Sequence, residues 1–157
     1  MTRTETTSIL RDATISYWAH KNYSCYSEIA VNSWGKLRAD VLSLNMKGLI
    51  VLSEIKSSRS DYLTDCKWKS YLPFCDRMFF VMTPKTFASI KMQLVLDIKG
   101  TGVGVMVLDP TTGYLKSVIS SKAQQLEDEI RQKLIIRMAW RNGQSRRTHR
   151  RRVRHFL

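Results

Sequence analysis

The spacing of apolar positions changes along the chain, and each change marks an element. Over residues 5–20, Ile9, Ala13, Tyr17 and Trp18 recur at helical spacing with polar residues between them, which predicts a helix. Asn22 to Ser24 breaks that pattern, and residues 26–31 read as a short strand before Gly35. Residues 38–45 and 49–56 are the clearest strands, both dense in branched apolar side chains. Met46-Lys47-Gly48 separates them. A three-residue hairpin loop commonly ends in a left-handed residue, where glycine is favoured, and Gly48 stands at that place.

Residues 60–72 read as a helix with Ser60 or Asp61 as its N-cap, stopped at Pro73. Residues 77–82 are a strand that ends before Pro84. Residues 85–98 read as a short helix followed by an extended piece. A strand at 103–108, a turn at Asp109–Gly113 and a returning strand at 114–119 follow. A long helix is predicted over 121–141, with Leu126, Ile130, Leu134 and Met138 four apart. The expected fold is an α/β domain over 1–141, a mixed central sheet flanked by helices, with a tail at 142–157.

The hairpin register places chemistry. If Met46-Lys47-Gly48 is the loop, Leu44 faces Ile50, Leu42 faces Leu52 and Asp40 faces Glu54. Facing residues share one side of a sheet, and Lys56, two beyond Glu54, shares it too. An apolar stripe therefore ends in two acids and a lysine. Opposed carboxylates repel unless a cation lies between them. A hard divalent ion such as Mg²⁺, with Mn²⁺ able to substitute, takes oxygen ligands and keeps several waters. Asp40, Glu54 and the main-chain carbonyl of Ile55 could hold one. Such an ion acidifies a bound water and offsets charge on a phosphodiester. Lys56 would orient that water and stabilise the developing negative charge.

Charge then narrows the partner. The formal net charge is +13, and eight arginines with no acid lie between Arg137 and Leu157. A folded body with a basic tail points to a polyanion, of which nucleic acid is the commonest. Guanidinium forks suit phosphate, so Arg146, Arg147, Arg150, Arg151 and Arg152 are candidate DNA contacts. Arg59, Lys67 and Lys69 follow the acidic cluster and read either as phosphate contacts or as a solvated helix face. Hydrophobic residues at 43% and charged ones at 25% exclude wholesale disorder. With no signal-like or membrane-length apolar run, the expected location is the cytoplasm, at the nucleoid, with no membrane partner. Cys25, Cys66 and Cys75 lack disulfide or zinc spacing and read as buried free thiols. Trp68 and Tyr71 read as core packing, and Trp34, beside Gly35, as an exposed aromatic able to contact DNA.

These residues resemble a known family. Asp40, thirteen intervening residues and then Glu54-Ile55-Lys56 across a hairpin is similar to the PD-(D/E)XK, restriction-endonuclease-like, nuclease core. A closer resemblance is to the MmcB family of bacterial DNA repair proteins. It is carried by Arg38-Ala-Asp-Val-Leu, Glu54-Ile-Lys-Ser-Ser-Arg, Asp61, Asp65, Lys67-Trp68, Tyr71 and Cys75-Asp76-Arg77-Met78-Phe79-Phe80. Ala39 stands where the broad motif has Pro. The resemblance implies a metal-dependent nuclease fold acting in DNA repair, and makes Glu28 a candidate extra metal ligand.

The acid-x-lysine triplet alone is weak, since Asp65-Cys66-Lys67 and Asp97-Ile98-Lys99 also fit it. Asp65 falls in a predicted helix, where positions two apart do not share a face. Asp97 lacks an upstream acid on a hairpin partner. The expectation is a Mg²⁺-dependent deoxyribonuclease in repair or recombination, with Asp40, Glu54 and Lys56 catalytic. The alternatives are a DNA-binding module of nuclease fold serving another repair factor, and a basic adaptor for protein or RNA. A homodimer is compatible with either.

Overall fold

A computed structural model describes residues 1–143. The tail arginines Arg146, Arg147, Arg150, Arg151 and Arg152 lie outside the described residues. The elements run α1 (Arg3–His20), β1 (Tyr23–Ala30), β2 (Arg38–Asn45), β3 (Ile50–Lys56), α2 (Arg59–Thr64), a 3₁₀ segment (Trp68–Phe74), β4 (Arg77–Met82), α3 (Pro84–Ile98), β5 (Gly104–Leu108), β6 (Leu115–Ile119) and α4 (Asp128–Asn142). All six strands form one sheet in sequence order. The pairs β1–β2, β2–β3 and β5–β6 are antiparallel, whereas β3–β4 and β4–β5 are parallel. This mixed sheet flanked by helices is consistent with a restriction-endonuclease-like core.

Register is set at the β2–β3 turn. Gly48 adopts φ +83°, a conformation costly for a side chain with a Cβ. The Asn45 side chain accepts from the N–H groups of Lys47 and Leu49 at 3.0 and 2.9 Å. The Asn45 N–H in turn donates to the Leu49 carbonyl at 3.1 Å. The ladder that follows pairs Leu44 with Ile50, Leu42 with Leu52 and Val41 with Ser53, as the three-residue loop predicts.

Two apolar layers cover the sheet. α1 packs Leu10, Ala13 and Trp18 onto Val41, Val51, Ile55, Phe79 and Val81. Of the predicted stripe Ala13 and Trp18 are buried, whereas Ile9 is exposed and Leu10 takes its place in the seam. The opposite face carries Leu42, Ile50, Leu52, Met78 and Phe80 under Trp68, Tyr71, Ile90, Leu94, Leu134 and Met138. Trp68 and Tyr71 are therefore core residues, as expected.

Three element predictions change. Residues 85–98 are one continuous helix, begun by the Thr83 cap and Pro84. The run Leu94-Val95-Leu96 looks strand-like, but only Leu94 is buried. The predicted helix at 60–72 is two pieces, capped by Ser58 rather than Ser60 or Asp61. The helix predicted from 121 starts at Asp128. Before it, the chain is an extended strap: the Gln124 N–H donates to the Asp76 carbonyl at 2.9 Å, and its side chain donates to the carbonyls of Leu72 and Cys75. Of the cysteines, Cys75 is buried, Cys25 is half-buried and Cys66 is exposed, which corrects the expectation for Cys66. Gly104 is a packing glycine and not part of a phosphate cradle, because a Cβ there would lie 2.7 Å from Phe79 Cε1 and from the Ile119 carbonyl oxygen. No described helix is long and apolar enough to cross a membrane.

Arg131 locks α4 to the turn end of the sheet. Its guanidinium grips both carboxylate oxygens of Asp76 at 2.6 and 2.7 Å and also donates to the Gly48 carbonyl at 2.6 Å. Asp76 also accepts the Ile50 N–H at 2.8 Å. Burial alone would push the Asp76 carboxyl up, but Arg131 and that N–H hold it below the usual range. Removing Asp76 strands both the guanidinium and the main-chain donor. Asp76→Ala is expected to cost about 3 kcal/mol, read as a lowered urea midpoint at unchanged slope. A loss below about 0.5 kcal/mol contradicts the lock.

Candidate active site

At the open end of the β2–β3 ribbon, away from the turn, the strands part after Val41–Ser53. There Asp40 and Glu54 hold each other through main-chain donors. The Asp40 N–H donates to Glu54 Oε1 at 3.2 Å, and the Ile55 N–H donates to Asp40 Oδ2 at 2.8 Å. The side chains meet on the face that the register predicts. Odd-numbered positions make the ladder hydrogen bonds here, as the Asn45–Leu49 bond shows. Even-numbered pairs are then the non-hydrogen-bonded ones, in which side chains approach most closely.

A strained residue frees the Asp40 donor. β1 pairs with β2 on both sides of Glu28, but Glu28 and Asp40 do not pair. Glu28 has φ +50°, a left-handed conformation uncommon for such a residue. Its carbonyl, turned from the ladder, accepts from Arg38 at 3.2 Å. The Asp40 N–H that a regular ladder would spend on Glu28 goes to Glu54 instead. The Glu28 carboxylate, predicted as an extra ligand, pairs with Arg11 at 3.2 Å and with Arg38 at 3.9 Å. Its backbone, not its carboxylate, acts on the acidic pair.

Burial dominates the electrostatics. Glu54 is 5% exposed and Lys56 4%. Burial pushes the Glu54 carboxyl up to about 8, and the neighbouring Asp40 charge pushes in the same direction. Asp40 is also raised by burial, against the Ile55 N–H and Lys56, which lower it. Without a cation, burial and the neighbouring Asp40 charge favour the protonated form of Glu54.

Lys56 is not free to neutralise the pair. Its ammonium lies 2.5 Å from Asp65 Oδ2, with both side chains largely shielded. Asp65 ends α2 in an extended conformation and accepts the Lys67 N–H at 2.7 Å. That local turn is why the predicted helix breaks here and why Asp65 reaches the site. The sequence marks Asp65 only through the family resemblance, and the predicted helix places it off the site's face. The signal available was a carboxylate followed two residues later by a free N–H, as in an Asx turn. Tyr71 borders the same cluster, its hydroxyl donating to the Arg38 carbonyl at 2.9 Å. Asp40, Glu54 and Asp65 all push that phenol up, after burial.

The other candidates lie outside this cluster. Lys67 and Lys69 are exposed on the following segment, with Lys69 over the Trp68 ring. Arg59 is tied to the Ser89 carbonyl of α3 at 2.6 Å. Ser57 donates to Asp61 and Ser58 caps α2, so both build the loop. Asp97 is in α3 and accepts the Tyr62 hydroxyl at 2.6 Å, which removes the competing triplet. His20 Nδ1 lies 2.7 Å from the Ser16 carbonyl oxygen and is structural.

Among the described residues no three acidic, histidine or cysteine side chains form a metal cage. The donor set is two carboxylates and a carbonyl, all hard oxygens. That set suits Mg²⁺, which binds through one or two carboxylates and retains water, and does not suit zinc. Within a strand, the N–H and C=O of one residue point the same way. The Ile55 carbonyl therefore faces the gap where its N–H meets Asp40.

A mixed sheet that gathers a buried glutamate, a part-buried aspartate and a lysine at the open end of a hairpin defines an α/β protein with an acidic site at one end of its sheet. The chain matches the family described as DNA repair protein MmcB-like over residues 1–151, and it belongs to that family. A solved structure, a protein of unknown function (SPO1766) from Silicibacter pomeroyi, is similar at 26% identity and TM-score 0.67. That match covers 87% of this chain and 93% of the other. No curated protein matches the chain.

The raised Glu54 carboxyl sets a pH dependence. Between the ordinary carboxylate range and about 8, the folded protein keeps a proton that the unfolded chain has released. Stability therefore falls as pH rises through that window. Without divalent ions, Tm is expected to drop by several degrees from about pH 5 to about pH 8. Glu54→Gln should flatten the slope and raise Tm at the alkaline end. A wild-type Tm that is level across the window rules out burial of an ionisable acid here.

Proposed function

We propose that this protein is a metal-dependent deoxyribonuclease of the PD-(D/E)XK type acting in DNA repair. The observation that carries the reading is the Asp40–Glu54 pair, the first part-buried and the second buried, facing across the ribbon with the Lys56 ammonium on the same face. Two acids held together while a nearby lysine is engaged by Asp65 leave negative charge that a divalent cation would balance.

Asp40, Glu54 and the Ile55 carbonyl would hold Mg²⁺ or Mn²⁺. The ion, when bound, supplies Lewis-acid chemistry, acidifying a water and offsetting phosphodiester charge. The remaining work falls to the chain. Glu54 must release its proton before it can ligate, so metal binding strengthens as pH rises. The Asp40 N–H fixes the Glu54 carboxylate, and the Ile55 N–H fixes that of Asp40. Lys56 donates from its ammonium to the attacking water or to a phosphoryl oxygen, where negative charge develops. Asp65 keeps that ammonium directed and away from the acidic pair. Arg146, Arg147, Arg150, Arg151 and Arg152 would draw in the DNA backbone.

The direct test is cleavage of plasmid and linear DNA with Mg²⁺ or Mn²⁺. Asp40→Ala and Lys56→Ala are each expected to lower the rate on the order of a hundredfold, with folding verified by circular dichroism, and EDTA should stop it. Full activity in both variants refutes the assignment. One observation favours a second reading, a DNA-binding module of the same fold that serves another repair factor. The Lys56–Asp65 pair cancels the lysine charge. Salt-sensitive DNA binding with no cleavage under any metal selects that reading.

Asp65 gives a separate prediction. In Asp65→Ala, the Lys56 ammonium loses its partner and turns to Glu54, in competition with the metal. The Mg²⁺ concentration for half-maximal cleavage is expected to rise several-fold. An unchanged Mg²⁺ requirement removes Asp65 from the site.

A further inference from the structure

A second feature lies at the same end of the sheet. The loop from Val31 to Leu37 joins β1 to β2 and is closed by a 2.9 Å bond from the Val31 N–H to the Leu37 carbonyl. It lies beside a cleft of about 280 Å³ lined by Trp34, Phe74, Ile130, Lys133, Leu134 and Arg137, among others. That size is at the small end of ligand clefts. It suits one nucleotide, not a duplex. Trp34 is 85% exposed at the loop tip, an arrangement that core packing does not explain.

Three observations point to the occupant. First, the walls combine an open indole and apolar side chains with Arg137 and with Lys133, whose exposed pairing with Glu129 at 3.1 Å a phosphate could displace; this matches a base face joined to a phosphate. Second, Arg137 donates to the carbonyls of Ala30 and Asn32, both at 2.8 Å, so the loop is anchored to α4. Third, the cleft lies at the acidic pair's end of the sheet. Leu37 closes the loop and Asp40 lies three residues further along, roughly 10 Å of extended strand. α4 also carries the chain toward this end, from Arg131 at the turn to Arg137 at β1. The arginine-rich segment begins nine residues beyond Arg137.

We infer that this cleft holds an unpaired nucleotide of the DNA substrate, its base stacked on Trp34 and its phosphate near Lys133. A base inside a duplex presents only its edges, so stacking on Trp34 requires one that is single-stranded or extruded. The substrate is then DNA with single-stranded character beside the scissile phosphate, such as a flap, a gap or a frayed end. This inference rests on the nuclease reading and narrows its substrate.

The test is fluorescence anisotropy with two fluorescein-labelled probes, an oligo-dT single strand and a blunt duplex of equal length. Ca²⁺ replaces Mg²⁺ to suppress cleavage. Trp34→Ala is expected to weaken single-strand binding about tenfold, the size of one lost base stack, and duplex binding less than twofold. Trp34→Phe should restore most of the single-strand affinity, and Lys133→Glu should weaken it. Equal loss on both probes, or none, overturns the inference. So does tighter single-strand binding after deletion of residues 144–157, since the chain's own end would then be the occupant. Asp40→Ala run alongside separates the two readings. In Mg²⁺, retained cleavage in that variant and in Lys56→Ala sinks the nuclease assignment, whereas lost cleavage with an inert Trp34→Ala sinks only the cleft.

Discussion

Everything at the open end of the central ribbon depends on the turn at its other end. Side chains alternate across a sheet, so a shift of one residue at Met46–Gly48 would carry Asp40, Glu54 and Lys56 out of phase. The left-handed Gly48 and the Asn45 side chain prevent that shift. Arg131 reinforces the same place from outside by gripping the Gly48 carbonyl together with Asp76. The chemistry at one end is thus held in phase by contacts at the other, and the intervening pairs Leu44–Ile50 and Leu42–Leu52 transmit the register.

The acidic cluster is built against local preference. A buried carboxylate, Glu54, lies beside the part-buried Asp40, the Glu28 backbone adopts a conformation uncommon for glutamate, and a lysine is placed in the interior. Each is unfavourable in isolation. They are tolerated because the surrounding donors are accounted for: the Asp40 and Ile55 N–H groups reach carboxylates, and Lys56 reaches Asp65. Departures of this kind concentrate where a protein does something other than fold.

The sequence made the ribbon legible because its signals were local. Glycine at the left-handed position, two alternating apolar runs and the acids beyond them sufficed to place Asp40, Glu54 and Lys56 together. Features set by single main-chain groups were not legible. The break at Asp65 has no glycine or proline to announce it, and it depends on a carboxylate bonding the Lys67 N–H. The left-handed Glu28 carries no signal in its residue type. In α3, Leu94-Val95-Leu96 imitates a strand, although Thr83 and Pro84 mark a helix start. Trp34 was legible as exposed, but its cleft draws its other walls from the 3₁₀ segment and α4, which are distant in the chain.

The attachment of α4 has a mechanical consequence. The helix is fastened through Arg131 at one end of the sheet and through Arg137 at the other. Six residues separate these fastenings, so they leave the helix on different sides. A rod pinned in this way can neither roll about its axis nor slide along it. A pull along α4 is therefore carried by Arg137 straight to the rim at Ala30 and Asn32.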